Sequence, residues 1–393
     1  MNKILTLLLS LFLILHSYCS KDILSNDLDT NHPYLIENSH HYLFTGRILE
    51  AIAKGASNEL QNLSFTNVEA IKVTYNTRTI HNTQTLASGI LLIPDRKSIL
   101  PVLSYQHQGG LHQKMKAPSF SMFGANELTH AAMIASTGYI VLVPDYLGYG
   151  SSEQEQHPFE HKASLAQSGL DFIRAVKEYL DNSNIKTQET ISLAGYSEGA
   201  QISLTMHQLL EEEGITSVQK SIVADGVFLK NKWVNQLLVS HPTVKELNYF
   251  LKLIESYKSI YPNLPETWYH YLKDQYAEMI ENGTAINSLP LNQMEPNELF
   301  DSNFIDGIVN GKDHDFIDAL EMNDVEPWET KSPIFLFYYD EEQSNVIAQA
   351  KTFKMSFEKI NPSIQFQLSS NNLPENPVLP FAIEVLKELH NKN

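Results

Sequence analysis

The sequence has a single cysteine, Cys19. With no second thiol, no disulfide can form within the chain, and the core alone must hold the fold. Positive charge is also scarce. There are 28 Lys and Arg against 46 Asp and Glu, a formal net charge of −18. That balance argues against phosphate backbones and anionic membrane surfaces, so nucleic acid is not an expected partner. Long apolar runs are missing after the N-terminus, which excludes a polytopic membrane protein. No internal repeat stands out, and no cofactor is expected. A metal enzyme is not supported either. His157-Pro158-Phe159-Glu160-His161 has histidines four apart, but it contains a proline and lacks the H-E-x-x-H order.

What is present is ordinary globular chemistry. Apolar residues make up 42% and charged residues 19%, enough for a large core. The 393 residues suit one elaborated domain of about 200–250 residues carrying an insertion. Met1–Lys3 is a short positive start, Ile4 to Leu15 is almost wholly apolar, and small and polar residues follow. This is the layout of a secretory signal, too short to span a membrane, so the protein is expected to be exported. The destination would be the bacterial periplasm, the cell surface or the medium. Cys19 follows the apolar stretch in Ser17-Tyr18-Cys19-Ser20. It reads either as a lipid-attachment cysteine that tethers the protein to a membrane or as a residue of a discarded signal. Residues 20–40 are polar and read as a flexible tether.

From there strand and helix signals alternate. Tyr42 to Lys54 reads as a helix; Val68 to Thr79, Leu86 to Pro94 and Ile99 to Tyr105 read as strands. Ala131 to Thr137 looks helical and Tyr139 to Pro144 is a buried strand. Leu165 to Asn182 has apolar residues at helical spacing. Short apolar strands between helices describe an α/β fold with a mostly parallel sheet, over residues 41–393. A strand at Gln219 to Val227 precedes a largely helical stretch, about 230–328, which reads as a cap inserted in the sheet. Strands return at Pro333 to Tyr339 and Ser363 to Leu368, and a helix from Pro380 to His390 closes the chain.

Gly195-Tyr196-Ser197-Glu198-Gly199 fits G-x-S-x-G. The context supports it. An apolar strand, Thr190 to Ala194, leads in, and a helix from Ala200 to Glu213 leads out, stopped by Gly214. A serine on such a turn is lifted clear of the sheet above a helix N-terminus. The backbone N–H of Glu198 would then face a developing oxyanion.

With that elbow, several segments in order resemble the secretory-lipase branch of the α/β-hydrolases. They are Leu86-Ala87-Ser88-Gly89-Ile90 with Pro94; Ser104-Tyr105-Gln106-His107; Val143 to Gly150; His157-Pro158-Phe159 with His161; and Asn323-Asp324-Val325 with Trp328 and Pro333. The resemblance implies an α/β-hydrolase fold with a helical cap. It implies a carboxylic ester hydrolase acting on small-molecule or lipid esters through Ser197. It also implies a second oxyanion donor, Gln108 or Gly109, after the strand ending at Tyr105.

In this fold the triad order is Ser, acid, His. The acid should follow PIFLFYY, where Asp340, Glu341 and Glu342 stand; spacing favours Glu342 and residue type Asp340. The histidine should lie between Ser369 and Pro380, and none is there. Pro374 or Glu375 occupies its place. Neither can replace imidazole, since proline does not titrate and an ordinary carboxylate is too weak a base. His390 lies at the far end of the last helix, about 15 Å from the expected loop. His107, near the oxyanion loop, could reach Ser197 as a relocated base or be structural; His157 and His161 read as structural. The sequence thus leaves two expectations open: an impaired serine hydrolase, or a non-catalytic relative that keeps the pocket.

Overall fold

The computed structural model describes residues 33–109, 127–339, 344–362, 366–370 and 378–391. The signal segment, Cys19, the acid candidates Asp340, Glu341 and Glu342, and Pro374 and Glu375 lie outside the described residues.

Strand β1 (Leu35–Phe44) opens the fold and helix α1 (Gly46–Ala56) follows. Two expectations shift here. The tether ends before residue 40, because Leu35 onward pairs with a neighbouring strand. The helix expected from Tyr42 starts at Gly46, since Tyr42 to Phe44 complete that pairing. Next come β2 (Val68–Arg78), β3 (Gln84–Pro94), β4 (Leu100–Gln106), α2 (Glu127–Ser136), β5 (Ile140–Pro144), α3 (Lys162–Asn182), β6 (Thr187–Tyr196), α4 (Glu198–Glu213) and β7 (Ser217–Ala224). Six helices follow: α5 (Lys230–Leu238), α6 (Val244–Ile260), α7 (Asp274–Glu281), α8 (Pro296–Leu299), α9 (Ser302–Val309) and α10 (His314–Met322). The chain closes with β8 (Ile334–Tyr338), α11 (Asn345–Ile360), β9 (Phe366–Ser370) and α12 (Val378–His390).

The strands form one sheet in the order β1-β2-β3-β5-β4-β6-β7-β8-β9. Its first four strands are antiparallel to their neighbours, and from β5 to β9 all pairings are parallel. Every residue of β5 (IVLVP) and of β8 (IFLFY) is buried, as strands covered on both faces require. One face packs on α1, α2 and α12 through Leu103, Tyr196, Ile134 and Phe381. The other packs on α3 and α4 through Leu142, Phe172, Leu193 and Met206.

The six helices between β7 and β8 have an aromatic core of their own, built on Trp233, Phe250, Tyr257, Phe304 and Phe316. They meet the sheet domain at several places, among them Asn345 of α11 and the loop before α3. Phe159 stacks edge-on to Tyr249 at 5.2 Å, and Tyr257 donates its hydroxyl to the Glu160 carbonyl at 3.4 Å. That loop lies directly behind the elbow.

Candidate active site

Ser197 sits between β6 and α4 with φ 57° and ψ −119°. A non-glycine residue rarely adopts such angles, and holding it there costs about 1–3 kcal/mol. The surroundings enforce it. The Ser197 N–H donates to the Ala224 carbonyl at 2.8 Å, which pins the turn to β7. A Cβ on Gly195 would lie 2.0 Å from the Gly199 carbonyl oxygen, and one on Gly199 would lie 2.1 Å from that of Gln106. Both glycines are therefore demanded by close backbone approach. Ser197 itself is half-buried, whereas both its neighbours are buried.

The loop after β4 passes over this turn. The His107 ring stacks on Tyr146 at 4.2 Å, and the Tyr146 hydroxyl donates to the His107 carbonyl at 2.8 Å. His107 Nδ1 lies 2.8 Å from the Gln108 carbonyl, so that nitrogen carries the hydrogen. Burial pulls this imidazole below its ordinary range. The loop is thereby fixed, with His107 as one of its struts.

Two backbone N–H groups have no acceptor among the described residues: that of Glu198, next to the serine, and that of Gly109, whose backbone lies against the Glu198 side chain. The first is an orphan donor of the first turn of α4, where the helix dipole adds to its pull on an anion. The N–H of Gln108, the other expected donor, already donates to Glu127 Oε1 at 3.1 Å. Glu127 is partly buried at the start of α2, and its desolvation pushes its carboxyl up to about 8.

Behind the elbow lies a buried charged network that the sequence reading did not find. His157 Nε2 is 3.1 Å from Glu198 Oε2, and His157 Nδ1 is 2.8 Å from the Leu147 carbonyl. The Glu160 N–H donates to Glu198 Oε1 at 2.7 Å. Glu160 Oε2 is 3.0 Å from Lys230 Nζ, with both side chains fully buried. Lys230 also donates to the Val227 carbonyl at 3.0 Å. Glu160 holds φ 61°, another left-handed non-glycine residue. The sequence signal was faint: one glutamate beside the nucleophile and one beside His161.

A carboxylate also lies on the other side. Asp225, just past β7, has φ 53° and is buried. Its Oδ2 accepts from the Tyr196 hydroxyl at 2.8 Å and its Oδ1 from the Tyr339 N–H at 2.9 Å. Its sequence signal is an acid directly after the apolar strand that neighbours the strand leading to Ser197.

No imidazole is hydrogen-bonded to Ser197 among the described residues. His390 Nε2 bonds the Thr137 hydroxyl at 2.9 Å. Thr137 precedes β5, at the edge of the sheet opposite the elbow. His161 bonds Ser164 at 2.8 Å and is lowered to about 4 by burial.

Comparisons with known proteins agree with this geometry. Residues 114–212, which include the elbow, match the family model for secretory lipases. No curated protein sequence matches the chain. Among solved structures, the chain is similar to a Legionella pneumophila protein given the provisional name of hydrolase. The TM-score is 0.76 at 21% identity, over 92% of this chain and 100% of that one. It is also similar to the rice cell wall degrading esterase LipA of Xanthomonas oryzae, with TM-score 0.73 at 21% identity over 90% and 97% of the two chains. Candida antarctica lipase A is more distant, with TM-score 0.56 at 14% identity over 90% and 82%. The chain therefore has the α/β-hydrolase fold, and the segment that carries the Ser197 turn is similar to that of secretory lipases.

Proposed function

We propose that the protein is an exported carboxylic ester hydrolase of the lipase type, with Ser197 as nucleophile and with its rate held down by the missing histidine. The observation that carries this is the backbone of Ser197, φ 57° and ψ −119°, backed by two orphan N–H groups. Strain of this kind persists where it positions a group for attack. The likeness to proteins named as esterase and lipase supports ester chemistry, and the secretory-lipase match supports export.

In the reaction, Ser197 Oγ bonds to the carbonyl carbon of an acyl ester. The carbonyl electron pair moves onto its oxygen, which the N–H groups of Glu198 and Gly109 receive. The hydroxyl proton goes to water, since no imidazole bonds Ser197 among the described residues, and water returns a proton to the leaving alkoxide. Collapse expels the alcohol and leaves an acyl-serine, which water then hydrolyses. The helical insertion, joined to the site through Tyr249 and Phe159, would cap the acyl chain. A lipid on Cys19 would hold the exported protein at a membrane.

A second reading is a non-catalytic protein that binds acyl or other apolar ligands in the retained pocket. The absence of an imidazole on Ser197 among the described residues favours it. One experiment separates the two. Mature protein and Ser197→Ala are incubated with p-nitrophenyl butyrate and with an organophosphonate probe. Ser197-dependent labelling and turnover establish the hydrolase. Equal rates and no label in either protein, with fatty-acid binding retained, establish the binding protein.

A further inference from the structure

Glu198 offers two groups at the elbow, and they work against each other. Its N–H faces the oxyanion position. Its carboxylate is buried directly behind that amide. The same carboxylate presses on the second donor: a Cβ on Gly109 would fall 1.4 Å from Glu198 Oε2. A bare anion touching the backbone of both donors opposes the negative charge that the transition state builds.

His157 answers that charge. The Leu147 carbonyl can only accept, so Nδ1, at 2.8 Å, carries a hydrogen. Nε2 and Glu198 Oε2, 3.1 Å apart, then hold one further proton between them. Glu198 Oε1 is already satisfied by the Glu160 N–H. While that proton is held, the pair is neutral as a unit.

We propose that His157 is a positioning residue for ester hydrolysis: through a shared proton it neutralises the Glu198 side chain behind the oxyanion-binding amide, and the site weakens when that proton is lost. This rests on the reading of Ser197 as nucleophile.

The other groups around the pair do not supply this charge. Glu160, on the same loop, is matched by Lys230 of α5. Lys252 of α6 is lowered by burial, and its charge is drawn to Glu255 of its own helix more than to Glu198. His107, from the oxyanion loop, is lowered by burial and is neutral at pH 7. The phenols of Tyr146, Tyr149 and Tyr249 are all raised by burial and stay uncharged. For His157, burial acts downward, but the Glu198 carboxylate, the Leu147 carbonyl and Glu160 outweigh it, so it is held above the ordinary imidazole range. The sign follows. The pair keeps its proton below that raised value and loses it as pH rises through it, so oxyanion stabilisation and folding stability both fall with rising pH.

The test has two arms. The first is ¹⁵N NMR of the histidines in the full chain, which needs no activity. His157 is expected to titrate above the ordinary imidazole value near 6.5 and to fall back in Glu198→Gln. An ordinary or lowered midpoint that ignores Glu198→Gln overturns the proposal. The second is hydrolysis of p-nitrophenyl butyrate by His157→Gln, Glu198→Gln and the double variant. His157→Gln is expected to lose roughly ten- to a hundredfold in kcat with KM little changed, the lower end of what an oxyanion donor is worth. The double variant, neutral again, is expected to recover most of it. A double variant as slow as His157→Gln would mean that packing, not charge, is what His157 supplies. If wild type shows no Ser197-dependent turnover, the nucleophile reading fails, and the NMR arm still decides the pair.

Discussion

Two regions flank Ser197, and both hold buried acids. Behind the elbow, Glu198 and Glu160 each face a basic partner, His157 and Lys230. Glu127 meets the Gln108 N–H of the oxyanion loop, and on the other side Asp225 meets a phenol and a backbone N–H. Buried carboxylates are costly unless paired, and the first region supplies each of its two with a basic partner. Glu127 pushes its proton release up instead, to about 8. The serine's oxyanion side is thus furnished with fixed charge. Its proton-accepting side is furnished with dipoles and, in sequence, with Pro374 and Glu375 where a histidine would stand.

If that contrast is the whole defect, supplying the base should repair it. Glu375→His puts an imidazole in the loop before α12. A positioned base contributes about 10²–10⁴-fold, so turnover of p-nitrophenyl butyrate should rise by at least about a hundredfold, with a bell or sigmoid in pH near the histidine value. Pro374→His is the companion for the neighbouring register. Two folded variants with unchanged kcat would show that the proton-accepting side lacks more than a histidine. His107→Ala and His112→Ala then ask whether another loop supplies a base; His112 lies outside the described residues.

The contrast also explains what could be read in advance. The mostly parallel sheet and the turn at Ser197 were legible because they rest on local patterns: buried strands such as IVLVP and IFLFY, and glycines at fixed offsets from Ser197. The early error at Tyr42 came from a segment whose strand character depends on pairing with β2, which no local pattern reports. The charged network was not legible for the same reason. Glu160 and Lys230 are 70 positions apart in sequence and meet only because the insertion docks on the loop behind the elbow. His157 reads as structural until its distance to Glu198 is known. That no histidine stands between Ser369 and Pro380 is read from chain order alone and needs no geometry.

The paired region should be brittle. Lys230→Met strips the cation from Glu160 while both remain out of water. Breaking one partner of a buried pair costs about 3–5 kcal/mol. The apparent unfolding midpoint in denaturant should fall accordingly, and Lys230→Met with Glu160→Gln should regain most of the loss. A single variant as stable as wild type would show that Glu160 takes up a proton and needs no cation.

The unpaired region should respond to pH instead, and more gently. Glu127 is raised to about 8 by burial, against an ordinary carboxylate value near 4.3 in the unfolded chain. Between those values the folded protein binds more protons than the unfolded one, so stability falls as pH rises. Glu127→Gln keeps the shape, removes the titration and still offers its carbonyl oxygen to the Gln108 N–H. It should match wild type near pH 4 and exceed it by about 1–3 kcal/mol near pH 8, a gap read from denaturant midpoints across that range. A gap that is flat with pH would mean that Glu127 is solvated in solution. A gap of opposite sign would mean that it finds a cation there, and the two regions would then differ only in the histidine.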